Sequence, residues 1–344
     1  MTKTPIAITM GDPAGVGPEL CLRLLDVPAA RRDWTPIVLG DAEVLAAVAS
    51  YCPSLPRPDY AVITLEEFRA TPDKCTGPTV VQIGAALSNV TPGQVSDETG
   101  AAAYRYVITA IELAQQRLVA GVTTGPIHKE AIRAAGILHP GHTEILAEAT
   151  GTPRYCMMLT SDEITCSFVT THVGYHEVPG LLNVERIREV AELTDAALKK
   201  IGRETPRLLV CGLNPHGGEH GLFGNSEEER IIGPAIETLQ RQGINAVGPV
   251  VPDTAFLPER RATTDAYICM YHDQGHIPLK ALAFDEAVNV TLGLPIVRTS
   301  VDHGTALDIA WQGQARVSSF LHAIQLAARL ASPALTYVPT ENRT

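Results

Sequence analysis

Three histidines that each follow an apolar run are the residues of this sequence with the clearest potential for chemistry. His172 follows ITCSFVTT, His216 follows LLVCGLNP and His272 follows AYICMY. Ligands of open α/β sheets bind at the carboxyl ends of strands, where three such histidines can converge on one metal ion. Three imidazoles with one open position suit Zn²⁺, Co²⁺ or a similar divalent ion. Each histidine alone is more often an ordinary polar residue, and it is the set of three that makes a metal site as plausible as that reading. A histidine also lies four residues after each of the three, and these are interpreted as loop or supporting residues: His176, His220 and His276.

A second set of residues combines positive charge with helix starts. A lone cation is usually a solvated surface residue. Grouped in segments rich in Gly and Pro, in a chain of net charge -11, these residues predict a local pocket for an anion. The sequence leaves phosphate and carboxylate both open. The set comprises His128, Lys129, His142, Thr143, Lys280 and Arg298.

Two glycine-containing segments bear on a cofactor. GDPAGVGPE follows the strand candidate Ile6–Met10 but lacks the GxGxxG spacing, so it supports a tight turn and no Rossmann site. SVDHGTALDIAWQG resembles the loop with which isocitrate and isopropylmalate dehydrogenases surround the adenosine of NAD(P), although Trp311 stands where that loop usually has Gly. GDPAGVGPE resembles the opening of the same superfamily. The resemblance implies cofactor contacts from Gly11, His303, Gly304, Thr305, Ala306 and Asp308.

The chain resembles the 4-hydroxythreonine-4-phosphate dehydrogenase family from about residue 5 to about residue 330. The matching stretches include ITMGDPAGVGPE, TGPIHKEAI, GHTEILAE, CGLNPHGGEHG, MYHDQGH and LGLPIVRTSVDHGTALDIA. The resemblance implies NAD or NADP as oxidant, a divalent metal (Zn²⁺, Co²⁺ or Mg²⁺), and a homodimer with a shared active site. The metal ligands would be His172, His216 and His272, one of them from the partner subunit. The implied substrate contacts are His142, Thr143, Asp253, Lys280, Asn289 and Arg298.

The implied reaction oxidises a secondary alcohol of a small phosphorylated acid and then releases CO₂. Lys129, Asp253 and Lys280 are the candidates for the catalytic base, and the sequence does not choose among them. The segment HDQGHIPLKALAFDEAVNV looks more like the branch for threonate or erythronate 4-phosphates than like the vitamin B6 branch. Terephthalate cis-dihydrodiol dehydrogenases are an alternative, disfavoured because this chain keeps GHTE and VRTS. A non-catalytic protein on the same fold is a second alternative, disfavoured because no metal or cation position is missing.

These motifs require a scaffold of alternating strands and helices. Short apolar runs alternate with segments of 3.6-residue period, which predicts the α/β class. The family resemblance implies two α/β/α domains with a cleft between them, like isocitrate and isopropylmalate dehydrogenases. No linker is visible, so the chain is expected to cross between domains more than once. The expected domains are 1–130 with 285–344 on the cofactor side, and 131–284 for metal binding and dimerisation. The Pro-rich stretch 51–73 is read as a surface excursion.

Composition narrows the choice of partner. The acidic balance disfavours nucleic acid and anionic lipid, which leaves a small anionic molecule as the expected ligand. No apolar run reaches the ~18 residues of a membrane span, and no signal peptide is evident, so a cytoplasmic protein is expected. The seven cysteines form no CxxC pair and are predicted to be free, mostly buried thiols.

Overall fold

The structure is a computed structural model that describes residues 3–28, 33–139, 141–283 and 286–331. It falls into two compact units, the first ending at Pro153 and resuming at Leu294–Ala331, the second spanning Arg154–Gly293. The chain therefore leaves the first unit and returns to it, but at other boundaries than residues 130 and 285. The expected segment 332–344 lies outside the described residues.

Twelve strands are present in the described part of the chain. They are β1 Thr4–Thr9, β2 Trp34–Gly40, β3 Ala61–Thr64, β4 Thr79–Gln82, β5 Gly121–Thr124, β6 Cys156–Thr160, β7 Thr165–Phe168, β8 Arg207–Cys211, β9 Asn245–Val250, β10 Ala266–Cys269, β11 Val288–Leu292 and β12 Arg298–Val301.

Twelve α-helices accompany these strands within the same described ranges. They are α1 Gly17–Leu25, α2 Ala42–Tyr51, α3 Leu65–Ala70, α4 Asp97–Gln115, α5 Lys129–Ala134, α6 His142–Ala149, α7 Val178–Leu181, α8 Val184–Lys200, α9 Gly233–Arg241, α10 Pro258–Arg261, α11 His272–Ala283 and α12 Ser318–Ala331.

The first unit contains a parallel sheet with the strand order β3-β4-β2-β1-β5-β12. Its central strands are mainly apolar, with β2 buried along its whole length and β1 buried from Ile6 onward, as parallel strands covered by helices require. Helices α4 and α12 both pack against β1, β2 and β5. Helices α5 and α6 contact α4, which explains why they belong to this unit although the sequence prediction placed them in the other.

The second unit contains a mixed sheet with the order β11-β6-β7-β10-β8-β9. β6 runs antiparallel to both neighbours, and the other pairs are parallel. Two successive residues of β7 show that helices cover both faces, because strand side chains alternate. Ser167 accepts a hydrogen bond from Thr194 of α8, while Cys166 lies against Gly275 of α11. The α/β class is confirmed in both units.

The thiols and the hydrophobicity of the helices agree with the sequence predictions. All seven cysteines are free, and all except Cys75 are buried. Among the described residues, no helix combines the length and the apolar character that a bilayer crossing needs.

Candidate active site

A buried guanidinium and a buried imidazole nitrogen lie together at the carboxyl edge of the first sheet. Arg298 is the first residue of β12 and only 2% exposed, so it belongs to a strand and not to a loop as its Gly/Pro-rich surroundings had indicated. Its Nη2 donates a hydrogen bond of 2.8 Å to Thr124 Oγ1 at the end of β5. Burial lowers the pKa of Arg298 to about 9, and the negative charge of Glu144 opposes that shift. The side chain is still protonated at pH 7.

His142 opens helix α6 beside this arginine. Burial, followed by the positive charge of Arg298, holds the pKa of His142 well below its ordinary value of 6.5, and a hydrogen bond with the Gly125 backbone opposes the shift. The imidazole is therefore neutral at pH 7, and its Nε2 is buried without a hydrogen-bond partner. Thr143 follows in the first turn, where helix N–H groups favour anions. We call Thr124, His142, Thr143 and Arg298 the anion region.

The glycine-rich opening of the chain packs against the segment that resembles an adenosine loop. Gly11 has φ +76°, and a Cβ there would lie 2.4 Å from the carbonyl oxygen of Pro126. Val16 N donates to the carbonyl of Thr305 at 3.0 Å, and Gly15 leaves no space for a side chain beside Thr305. Gly11 and Gly15 are therefore required because neighbouring backbone atoms approach them closely. This agrees with the tight turn that was predicted from the missing GxGxxG spacing.

Trp311 closes this arrangement in place of the glycine usual in the superfamily loop. Its backbone lies in the left-handed region at φ 62°, and its buried indole Nε1 donates to the Pro13 carbonyl at 3.1 Å. The bulky residue fits because it packs into the first unit. Of the expected cofactor contacts around it, Thr305 is buried, Ala306 is partly buried, and His303, Gly304 and Asp308 are exposed.

The three histidines of the sequence argument belong to the second unit, after three neighbouring parallel strands. These strands are β7, β10 and β8, so their carboxyl ends share one edge of the sheet. His172 and His272 come together, with ring centroids 5.7 Å apart. His272 Nδ1 lies 2.6 Å from Asp273 Oδ1, which leaves its Nε2 as the nitrogen available to a metal. The pair borders a cavity of about 280 Å³ formed by residues 170–175, Val178 and residues 271–273.

His216 is carried by an unusual loop after β8. Residues 216–220 all have positive φ, from 42° to 79°. A buried carboxylate holds the start of the loop: Glu228, 3% exposed, accepts hydrogen bonds of 2.8 Å from the backbone N–H groups of Leu213 and Asn214. His216 itself is exposed. Within the described ranges, no group of three or more His, Cys, Asp or Glu residues lies close enough to hold a metal ion.

The donor chemistry nevertheless fits a divalent cation. Two neighbouring imidazoles, one of them oriented by a carboxylate, are the usual partial ligand set of a Zn²⁺ or Co²⁺ site. One chain brings together two of the three expected ligands, so a third donor must come from outside the pair. We call His172, His216, His272 and Asp273 the histidine region.

The remaining predicted site residues divide between the units. Lys129 is exposed at the start of α5 in the first unit. In the second unit, Asp253 is exposed on the turn Pro252–Thr254, which packs against the His216 loop. Lys280 is exposed on α11, and Asn289 on β11 has a buried Oδ1 without a hydrogen-bond partner.

Sequence reasoning found only some of the residues that support the candidate metal ligands. His276 does support its neighbour: its ring stacks on His272 at 3.6 Å, and its Nδ1 contacts the His272 carbonyl oxygen at 2.9 Å. His176 and His220 are exposed. Asp273 and Glu228 were not singled out. Adjacency to a candidate ligand in MYHDQGH was a usable signal for Asp273, but nothing in the sequence links Glu228 to the His216 loop.

Comparison with known proteins gives a consistent result. A family model described as "Pyridoxal phosphate biosynthetic protein PdxA" matches residues 32–327. The 4-hydroxythreonine-4-phosphate dehydrogenase of Desulfosudis oleivorans is 44% identical over 333 residues, covering 94% of each chain. The D-threonate 4-phosphate dehydrogenase of Pectobacterium atrosepticum is 40% identical over 335 residues, 95% of this chain and 99% of that one.

A solved structure extends the likeness to the fold. The crystal structure of 4-hydroxythreonine-4-phosphate dehydrogenase from Klebsiella pneumoniae matches with a TM-score of 0.83 and 39% identity, covering 96% of this chain and all of that one. The chain belongs to the PdxA family.

Proposed function

We propose that this chain is an NAD-dependent, divalent-metal-dependent dehydrogenase that oxidises, with decarboxylation, a 4-phosphorylated hydroxy acid of the threonate, erythronate or 4-hydroxythreonine type. The observation that carries the proposal is the anion region, in which a buried Arg298 lies beside a neutral His142 at the start of α6. Family membership and the substrates named for the relatives support the same reading.

The anion region suits a phosphate monoester because each member has a distinct role. Arg298 supplies a positive charge that the fold has already removed from water, so its interaction with a dianion is weakly screened. His142 and the first N–H groups of α6 supply neutral donors. Glu144, in the same turn, places a negative charge near Arg298, which opposes the lowering of the Arg298 pKa by burial.

The histidine region would hold the metal, with His172 and His272 from one chain and His216 from a second copy in a homodimer. A divalent ion held by these residues would supply Lewis-acid chemistry: it would lower the pKa of a substrate hydroxyl and polarise a carbonyl. Asp273 keeps the Nδ1 proton of His272 in place, so that Nε2 remains a donor to the ion. Lys129, Asp253 and Lys280 are the proposed candidates for accepting the hydroxyl proton.

The oxidant is proposed to be NAD or NADP, held by Gly11 and by residues 303–308. The close packing of Gly15 and Val16 on Thr305, and of Gly11 on Pro126, supports this because it gives a glycine-lined backbone surface. Such a surface allows a dinucleotide to approach without side-chain interference. The protein then supplies orientation, and the cofactor supplies the redox chemistry.

The direct test is NADH formation with a substrate panel at fixed Zn²⁺. The panel contains 4-phosphooxy-L-threonine, D-threonate 4-phosphate, D-erythronate 4-phosphate and the terephthalate-derived cis-diol, each with and without a chelator. Turnover of one phosphorylated acid that stops with chelator and returns with Zn²⁺ or Co²⁺ supports the proposal. Turnover of the diol alone would show that the anion region binds a carboxylate and not a phosphate. No turnover, in protein that binds neither NAD nor metal, would favour a non-catalytic role.

A further inference from the structure

One carboxylate in the second unit connects two loops that each carry a candidate metal ligand. Asp273 Oδ1 contacts His272 Nδ1 at 2.6 Å, and Asp273 Oδ2 accepts a hydrogen bond from the hydroxyl of Tyr175. Tyr175 is three residues after His172 on the loop that follows β7. The chain Tyr175–Asp273–His272 therefore joins the His172 loop to the start of α11.

The His272 side of this chain is already rigid. The His276 ring stacks on the His272 ring at 3.6 Å, with an angle of 11° between the planes, and Phe168 packs on His276 at 4.7 Å. Because Asp273 engages Nδ1 and His276 covers one face of the ring, His272 has a fixed tautomer and a fixed orientation. Its Nε2 is the only ring nitrogen left for a ligand.

The His172 side is more exposed than the start of α11. Thr170 anchors the start of the loop, since its Oγ1 donates to the Met270 carbonyl at 2.7 Å. Beyond that point residues 172–177 are all exposed, and Gly174 N donates to the exposed Glu177 within the same loop. Tyr175 is 67% exposed, so burial does little to hold it. Two described side-chain contacts tie Tyr175 to the region around the start of α11: its hydrogen bond to Asp273 and the packing of its ring on Tyr271, and only the first is directional.

We propose that Tyr175 and Asp273 act as a positioning clamp that sets the spacing between His172 and His272 and so prepares the pair for a divalent metal ion. The inference rests on the proposed metal role of these histidines. Neither clamp residue needs to touch the metal or the substrate. Removing the Tyr175 hydroxyl leaves both imidazoles present but lets the His172 loop relax. Metal affinity should fall while the fold is kept.

The test is Zn²⁺ affinity, measured by competition with a chromogenic chelator, in the full-length protein. Tyr175→Phe removes one hydroxyl, and Tyr271→Phe is the matched control. The Tyr271 ring packs edge-on against Tyr175 with centroids 5.9 Å apart and lines the same cavity. We expect Tyr175→Phe to weaken Zn²⁺ binding by roughly 10-fold or more, the usual cost of losing a partner behind a metal ligand, and Tyr271→Phe to bind like wild type.

A second variant separates the orientation of His272 from the spacing between His172 and His272. Asp273→Asn disturbs both His272 and Tyr175 and should weaken binding more than Tyr175→Phe does. The visible spectrum of bound Co²⁺ should change in both variants, because ligand geometry alters the absorption bands even at saturating metal. Wild-type affinity and spectrum in Tyr175→Phe would overturn the clamp, as would a loss confined to Asp273→Asn. If the wild-type protein itself binds no Zn²⁺, the metal role in the proposed function fails together with the clamp.

Discussion

The anion region and the histidine region differ in how far the fold of this chain has already fixed their side chains. Arg298 is 2% exposed and bonded to Thr124, and the neighbouring His142 is held neutral, so the anion region is preorganised before any ligand arrives. His172 and His216 are exposed, and the described residues contain no group of three metal-binding side chains. A fixed charge is built into the sheet of one unit, whereas two of the three proposed metal ligands, His172 and His216, lie on exposed loops.

The largest expected effect concerns completion of the histidine region by a second copy. His172→Ala and His216→Ala should each reduce dehydrogenase activity by roughly 1000-fold or more, since a site with two ligands binds metal poorly. Mixing the two variants and allowing subunit exchange should restore about a quarter of the sites, because a mixed dimer contains one intact site of two. Activity and Zn²⁺ content of the mixture check this.

Two copies of the same variant provide the control, since they can never form an intact site. Absence of recovery in the mixture, with subunit exchange shown by mass spectrometry, would contradict a shared site.

The anion region should bind an anion without metal or a second copy. Inorganic phosphate at about 100 times its dissociation constant should raise the free energy of unfolding by about 2.7 kcal/mol in the presence of a chelator. Arg298→Met should abolish this stabilisation, because it removes the buried charge. Arg133→Met, an exposed arginine on α5 of the same unit, should retain it. Thermal unfolding with and without phosphate measures the effect, and an equal response in both variants would count against the region.

Glu228 offers a sharper test of how the His216 loop is held. Glu228→Gln keeps the shape of the side chain but removes the charge that accepts the Leu213 and Asn214 N–H groups. We expect about 10-fold weaker Zn²⁺ binding, because charge-assisted bonds contribute about 1.5–3 kcal/mol and part of that free energy fixes the loop. Glu237→Gln, an exposed glutamate on the following helix α9, is the control. Unchanged affinity in Glu228→Gln would show that the loop orders independently.

The smallest expected effect is the pH dependence contributed by His142. Its pKa is lowered in the folded protein, so below pH 6.5 the unfolded chain binds a proton that the folded chain does not. The free energy of unfolding should therefore fall as the pH drops, by about 1 kcal/mol between pH 6.5 and 5.5. His142→Gln should flatten this part of the profile, and the exposed His303→Gln should not. Denaturant titrations at several pH values would detect the difference, and identical slopes would contradict it.

The strands and helices that carry the candidate site residues differ in how well they could be predicted from the sequence. The parallel strands followed by His172, His216 and His272 were recognisable because apolar runs mark buried strands. Helix α11 was missed because HDQGHIPLKALA contains Pro278 and reads as a polar loop, yet it begins at His272 itself. The antiparallel pairing of β6 with β7 is local, but its second antiparallel pairing, with β11, joins residues far apart in sequence.

The Pro-rich stretch 51–73 shows that an edge strand of the sheet is also hard to predict from sequence. It was read as a surface excursion, but it contains β3, whose residues are largely exposed, and α3 with its buried Phe68. β3 forms because β4 offers a free edge for pairing. No periodicity within residues 51–73 indicates this pairing. Likewise, the bond between Tyr175 and Asp273 joins residues 98 apart, and only the folded loops bring them together.

The most direct test of the central claim is the catalytic preference for a substrate phosphate in wild type and in Arg298→Met. The kcat/KM for the best phosphorylated acid is compared with that for the same acid without its phosphate, in both proteins. The account predicts a wild-type preference of roughly 1000-fold, equivalent to about 4 kcal/mol, that collapses to within about 10-fold in the variant because the buried charge is its main source. An unchanged preference in Arg298→Met would contradict the account.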